Sequence, residues 1–189
     1  MNVLVACEFS GRVRDAFRAK GHDAWSCDLL PTELPGSHHQ GPLEDWISSG
    51  REWDLIVAHP PCTYLCNSGV RWLHEQSGRF ELMERAAYFF NMIMARDCPK
   101  IAIENPIMHK YAVEIVGRRQ DQIIQPWQHG HGETKATCFW LKGLPLLKPT
   151  NIVTGRENRI HKMAPSKDRG HLRSITYQGI ADAMAEQWG

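Results

Sequence analysis

Nothing in the 189 residues approaches the run of about 18 apolar residues that a membrane span requires. The longest apolar stretch beyond the N-terminus, residues 86–95, is broken by Asn91. The first ten residues lack the positive charges that lead a secretory signal, so Val3 to Cys7 reads as a strand and the chain as soluble and cytoplasmic. Charge of one sign is equally scarce. The 22 Lys and Arg against 21 Asp and Glu leave a formal net charge of +1, which excludes a histone-like binder and leaves room only for a local basic patch. No C-x2-C pair occurs among the cysteines at 7, 27, 62, 66, 98 and 138, so they read as reduced thiols rather than a disulfide framework. Repeats and low-complexity segments are also missing. With 42% hydrophobic and 23% charged residues, the composition excludes disorder and suits one compact domain over residues 1–189.

What is present alternates between short apolar runs and helical patterns. Strands are expected at Asn2 to Cys7, Asp23 to Cys27, Asp54 to Ala58, Lys100 to Ile103 and Thr137 to Leu141. Helices are expected at Arg12 to Lys20, Leu43 to Ser49, Phe80 to Arg96 and Gly179 to Trp188. Pro31 to Pro42 reads as a loop, and the polar stretch Thr63 to Arg79 as a long flexible one. Such alternation predicts an α/β fold, a mostly parallel sheet with helices on both faces. Ligands of such sheets sit beyond the carboxyl ends of the strands. Four strand ends therefore carry the candidate chemistry: Glu8 to Gly11, Cys27-Asp28, His59 to Cys62, and Glu104 to Pro106.

Gly11, in Phe9-Ser10-Gly11, lets backbone approach a ligand where a helix N-terminus offers free N–H groups; a structural turn is the competing reading. Asp28 has the spacing of a carboxylate that binds ribose hydroxyls, or it is an ordinary turn residue. Pro60 and Pro61 stiffen the backbone just before Cys62, a rigid mount for a nucleophile that needs a lowered pKa or a neighbouring proton acceptor. Cys66 could pair with Cys62 on a metal, but no second ligand pair has zinc spacing, so no metal is expected and Cys66 is expected to be dispensable. Glu104 leaves a buried strand at the same edge, where it is expected to have a raised pKa and act as an acid, or else to form a salt bridge. His38, His39, His129 and His131 read as solvated loop residues or phosphate contacts.

These residues resemble the cytosine C5-methyltransferases, particularly the short phage-type DNA methylases, over nearly the whole chain. Pro61-Cys62 matches the family's catalytic Pro-Cys motif and Glu104-Asn105 its Glu-Asn motif, which grips the cytosine edge. Phe9-Ser10-Gly11 matches the first cofactor motif, with Val13 and Arg14 standing where two glycines usually follow. Asp28 falls at the family's ribose contact, and Pro42 stands where an aspartate usually meets adenine N6. Lys135 and Thr137 occupy the two arginine positions of a Gln-x-Arg-x-Arg segment, and Ser174 opens the last motif, which returns to close the cofactor pocket. The resemblance implies a Rossmann-like S-adenosylmethionine-dependent methyltransferase fold, catalysis by Cys62 and Glu104, and substrate contacts from Pro61, Asn105, Lys135 and Thr137. Cofactor contacts are implied for Phe9, Ser10, Gly11, Asp28, Pro60 and Ser174, with S-adenosyl-L-methionine as cofactor and a phage-encoded enzyme in the host cytoplasm.

Only residues 138–173 separate the two last motifs, too few for a separate target-recognition domain. Arg156, Arg159, Lys162, Lys167, Arg169 and Arg173 in that stretch suit phosphates, or form a solvated loop. Three readings stand: a DNA methyltransferase of little or short sequence specificity, an enzyme acting on a free cytidine nucleotide, and a catalytically silent binder.

Overall fold

The computed structural model describes residues 1–47 and 50–189. Seven strands, β1 (Asn2–Ala6), β2 (Asp23–Asp28), β3 (His38–Gln40), β4 (Leu55–Ala58), β5 (Lys100–Asn105), β6 (Gln122–Ile124) and β7 (Thr137–Lys142), form one sheet ordered β3-β2-β1-β4-β5-β7-β6. The first five run parallel, and β7 lies antiparallel between β5 and β6. The continuous apolar runs of β1 and β4 suit strands covered on both faces. Alternation along them feeds two separate cores. Val3, Val5, Leu55 and Val57 belong to one, and Leu4, Ala6, Ile56 and Ala58 to the other.

Helices α1 (Arg12–Ala19) and α8 (Gln178–Trp188) cover the first face with Val13, Phe17, Ile180, Met184 and Trp188. The second is covered by α2 (Leu43–Ile47), α3 (Trp72–Glu75), α4 (Arg79–Met94) and α5 (Lys110–Val116). Helix α4 buries Met83, Ala87, Phe90 and Ile93, a single stripe at helical spacing. Two short helices, α6 (Arg159–Lys162) and α7 (Arg169–Ser174), lie between β7 and α8. Ser48 and Ser49, the expected end of α2, lie outside the described residues.

Several elements carry no sequence signal of their own. Strand β3 is three residues of the expected loop, made a strand by pairing with β2. Helix α5 is capped by His109, whose Nδ1 accepts the Ala112 amide at 3.1 Å, a residue type outside the usual cap set. The stretch expected to be a flexible loop is largely folded: a 3-10 turn at Asn67–Gly69 and α3 hold Leu65 and Leu73 in the core, and Cys66 bridges to Met108.

The chain crosses to β2 on one side of β1 and to β5 on the other side of β4, so the carboxyl ends of β1 and β4 open a crevice at the switch point. One wall is pinned by Arg14, whose side chain is wholly buried. Its guanidinium donates to Ser26 Oγ, Thr32 Oγ1, the Leu34 and Pro35 carbonyls and Asp15. Replacing it with methionine removes the donor these five groups share, the buried Ser26 hydroxyl among them. Arg14→Met is expected to destabilise the protein by at least about 2 kcal/mol, read as a lower urea midpoint at unchanged slope.

Candidate active site

Strand β1 ends at Cys7 in the left-handed conformation, φ 57°, the one non-glycine residue with positive φ among the described residues. Backbone strain of this kind gathers at functional sites. Glu8 follows, buried, its carboxylate accepting the Val13 amide at 2.8 Å, the Arg14 amide at 3.4 Å and the Ser10 hydroxyl at 3.0 Å. The Arg12 amide donates to Ser10 Oγ. The N–H groups expected to be free at this helix start are thus occupied by the protein itself, and no phosphate site remains there. Burial pushes Glu8 above the usual carboxylate range against those hydrogen bonds and nearby His59. Gly11, at φ 76°, serves the turn, and the space a Cβ would take is filled by the Arg14 guanidinium, 2.6 Å away.

Two cavities meet at Cys7 and Pro61. The first, about 230 Å³, is lined by Phe9, Ser10, Pro60, Pro61, Cys62, Glu104, Asn105, Lys135 and Ser174 among others. Nine of the twelve sequence-derived site residues therefore converge. The second, about 460 Å³, lies between Asp28, Leu29, Gly41, Pro42, Leu43 and Phe89. Thr137 lines neither; it stands behind Glu104, on a space of about 10 Å³, with its hydroxyl on the Lys135 carbonyl. Gly11 also lines neither.

Cys62 and Cys66 are one helical turn apart, the Cys66 amide donating to the Cys62 carbonyl at 2.9 Å. Their thiols hydrogen-bond each other. That bond, with help from Ser68 and the Ser68 and Gly69 amides, holds Cys66 down to about 5 despite burial, while the same bond, burial and the charges of Cys66 and Glu104 push Cys62 up against the pull of Lys135. Cys66, in the segment that reads from sequence as a flexible loop, thus meets the Cys62 thiol.

Glu104 departs from expectation. Burial favours its neutral form, but the hydrogen bond with His59 and the charge of Lys135 outweigh burial and hold the carboxyl below its ordinary value. His59 Nδ1 lies 3.2 Å from Glu104 Oε2. Asn105 is buried and donates to the Pro60 carbonyl at 3.3 Å, bracing the Pro-Pro turn. Lys135 Nζ donates to the Arg173 carbonyl at 2.8 Å, which ties the β7 approach to α7. His59 and Cys66 carry no motif; a histidine directly before the Pro-Pro turn was the available signal for the first.

Of the remaining histidines, His129 bonds Thr150 and His131 accepts the Gly179 amide, so both serve local structure. In the basic stretch, Arg159 pairs with Glu133 at 2.9 Å and Arg156 lies 3.8 Å over the Trp127 ring. His171 of α7 stacks on Phe9 at 4.7 Å and pairs with Glu33, so α7 folds over the first cavity's rim.

No protein-family model matches the chain, and no curated protein matches it significantly. Solved structures do. A prophage-encoded E. coli protein assigned as a DNA modification methyltransferase matches at 14% identity and a TM-score of 0.51, over 81% of this chain and 52% of that one. The fold is that of a Rossmann-like methyltransferase. Two further structures match at 14% identity: Entamoeba histolytica methyltransferase EhMeth, TM-score 0.48, over 88% of this chain and 60% of that one, and S. pombe Dnmt2 methyltransferase, TM-score 0.44, over 86% and 53%. The chain spans between about half and three fifths of the length of these proteins. Among the described residues no helix is long and apolar enough to cross a membrane.

The thiol pair generates a prediction that needs no substrate. Because Cys66 is held down to about 5, its thiolate is present throughout pH 6–8, so iodoacetamide alkylation of Cys66 should vary little over that window. Peptide mass spectrometry is expected to find Cys66 modified before any other cysteine at pH 6; a rate rising tenfold per pH unit would show an ordinary thiol instead.

Proposed function

We propose that the protein is an S-adenosylmethionine-dependent methyltransferase that methylates C5 of cytosine in DNA through a covalent Cys62 adduct, working as one catalytic domain over residues 1–189. The observation that carries this reading is the meeting of Cys62 and Glu104, from adjacent strand ends, in one cavity that adjoins a second lined by Asp28. The residues fit the cofactor. Leu29, Pro42, Leu43 and Phe89 offer apolar walls for an adenine, and Asp28 offers a carboxylate for ribose hydroxyls. Pro42 has no side-chain donor or acceptor for adenine N6, so recognition there falls to backbone. When bound, S-adenosylmethionine supplies the methyl group that C5 receives.

The chain's own residues do the rest. C5 of cytosine is a poor nucleophile until a thiolate adds to C6. Cys66, already hydrogen-bonded to Cys62, takes the Cys62 proton, and the resulting Cys62 thiolate bonds to C6. Glu104 meets the base edge at N3, where the displaced electron pair arrives. Lys135, the nearby cation, offsets the added negative charge. Pro60 and Pro61, held by Asn105, keep the sulfur fixed during attack. Loss of the C5 proton to solvent water then expels the thiolate.

DNA is favoured over a free nucleotide by the basic stretch beside the cavity. A duplex cytosine reaches Cys62 only after flipping, at a cost of a few kcal/mol. Lys162 and Lys167 are exposed there for phosphate contacts. Methyl transfer from labelled S-adenosylmethionine to duplex DNA, single-stranded DNA and cytidine monophosphate tests the reading. Activity on cytosine-containing DNA and none on poly(A/T) is expected; label on adenine overturns the mechanism, and label on the mononucleotide alone moves the substrate to the free nucleotide. Cys62→Ala is expected to abolish turnover with cofactor affinity unchanged. Contrary to the sequence expectation for Cys66, Cys66→Ala should slow turnover about a hundredfold, the scale of a lost general base, and Cys66→Ser should be as slow because a hydroxyl is no acceptor for a thiol proton at neutral pH.

A further inference from the structure

The cytosine reading asks Glu104 for a proton that its surroundings withhold. Addition of sulfur to C6 moves the C5–C6 π pair to C4–C5 and the C4–N3 π pair onto N3, so N3 must gain a proton. A carboxyl held below its ordinary value is ionised at neutral pH and has none to give. Lys135 makes no hydrogen bond to the carboxylate; its Nζ donates to the Arg173 carbonyl and acts on Glu104 by charge. The group bonded to the carboxylate is His59, through Nδ1 to Oε2 at 3.2 Å, with the two side chains 9% and 16% exposed.

We propose that His59 is a positioning residue that supplies, through Glu104, the proton N3 takes up when Cys62 adds to the base. This rests on the cytosine reading. In the step, the Sγ–C6 bond forms, the imidazolium form of His59 gives its Nδ1 proton to Glu104 Oε2, and the carboxyl so formed passes that same proton to N3. When solvent water takes the C5 proton and the thiolate leaves, N3 returns its proton to Glu104 and Glu104 returns it to His59, so the pair ends as it began.

The surroundings of His59 suit a carrier rather than a surface histidine. Its other nitrogen, Nε2, is buried without a hydrogen-bond partner among the described residues. Beside it lies the space of about 10 Å³ bounded by His59, Glu104, Lys135, Thr137 and Tyr177, about the volume one water needs. The titratable and charged groups that share its cavities are Cys7 and Glu8 after β1, Cys62 on its own loop, Glu104 on β5, Lys135 before β7, Arg173 on α7 and Tyr177 before α8. The donor works only while the ring carries its second proton, so it fails as pH rises.

Tritium release from 5-tritiated cytosine in DNA, measured without S-adenosylmethionine, reads the addition and N3 protonation apart from methyl transfer. In His59→Asn the amide still donates to Glu104 but cannot pass a proton. Release is expected to fall about a hundredfold at pH 8, with the alkaline limb displaced to lower pH and cofactor affinity unchanged. A wild-type rate and pH profile in His59→Asn overturns the proposal. Independently of any substrate, NMR titration of the His59 ring in the wild type and in Glu104→Gln is expected to show its pKa falling by about one unit or more when the carboxylate is removed. No fall means no shared proton, which overturns the proposal and leaves the cytosine reading standing. If the ring responds to Glu104→Gln but the wild type releases tritium from no cytosine substrate, the cytosine reading fails and the role assigned to the proton fails with it.

Discussion

Ala58 pairs with Ile103 in the parallel register between β4 and β5, and everything chemical in the molecule hangs from that pairing. Parallel neighbours lie about 4.8 Å apart. The next residues along each strand, His59 and Glu104, therefore leave the sheet side by side and within reach of a hydrogen bond. Beyond them the chain runs into Pro60-Pro61 on one strand and Pro106 after the other, which ends pairing at the same level. A slip of one residue would turn Ile56 and Ala58 from one core to the other and carry Glu104 to the opposite face. The buried runs of β4 and β5 thus specify the register, and the register specifies which side chains can meet.

The β1 side solves a different problem. A glycine-rich turn leaves a helix start open to a ligand, whereas here Glu8 satisfies that helix start and Arg14 fills the space beside Gly11. Both groups are expensive to bury, and each is tolerated because it is saturated with partners. In return Arg14 fixes the loop of residues 32–35, and Phe9, unable to sink inward, stands out as the platform on which His171 stacks. The departure from the glycine pattern is therefore a change in what supports the cavity wall, with charge taking the place of close backbone packing.

The parallel strands were legible because β1, β4 and β5 are runs of apolar residues ending at Pro or charged residues, and the long α4 declares its period through Met83, Ala87, Phe90 and Ile93. Strand β3 and β6, three residues each, owe their state to neighbours across the sheet and carry no pattern of their own. Most of the site residues were legible for the same reason, since strand ends are sequence positions. What no spacing could show is the pairing between ends: that Glu104 meets His59 and so loses acidity's expected direction, that Cys66 folds back onto Cys62, and that Gly11 faces an arginine. Each is a contact set by tertiary packing of side chains from separate segments.

Those contacts share one consequence for the cavity. Cys66 and Glu104 disfavour negative charge on Cys62, and Lys135 is the cation that opposes them. In the proposed reaction, the resting arrangement therefore keeps a proton on the sulfur that attacks and removes one from the carboxyl that donates. Such a distribution is poor for chemistry and good for stability of the thiol, because a buried thiolate beside a carboxylate would be costly. A base entering between Cys62 and Glu104 displaces water from both and brings N3, a proton acceptor, against the carboxylate. On the proposed mechanism, protons are then re-sorted by the arrival of the substrate rather than stored in reactive form, so the site becomes nucleophilic only when a ring that can accept the electrons is in place.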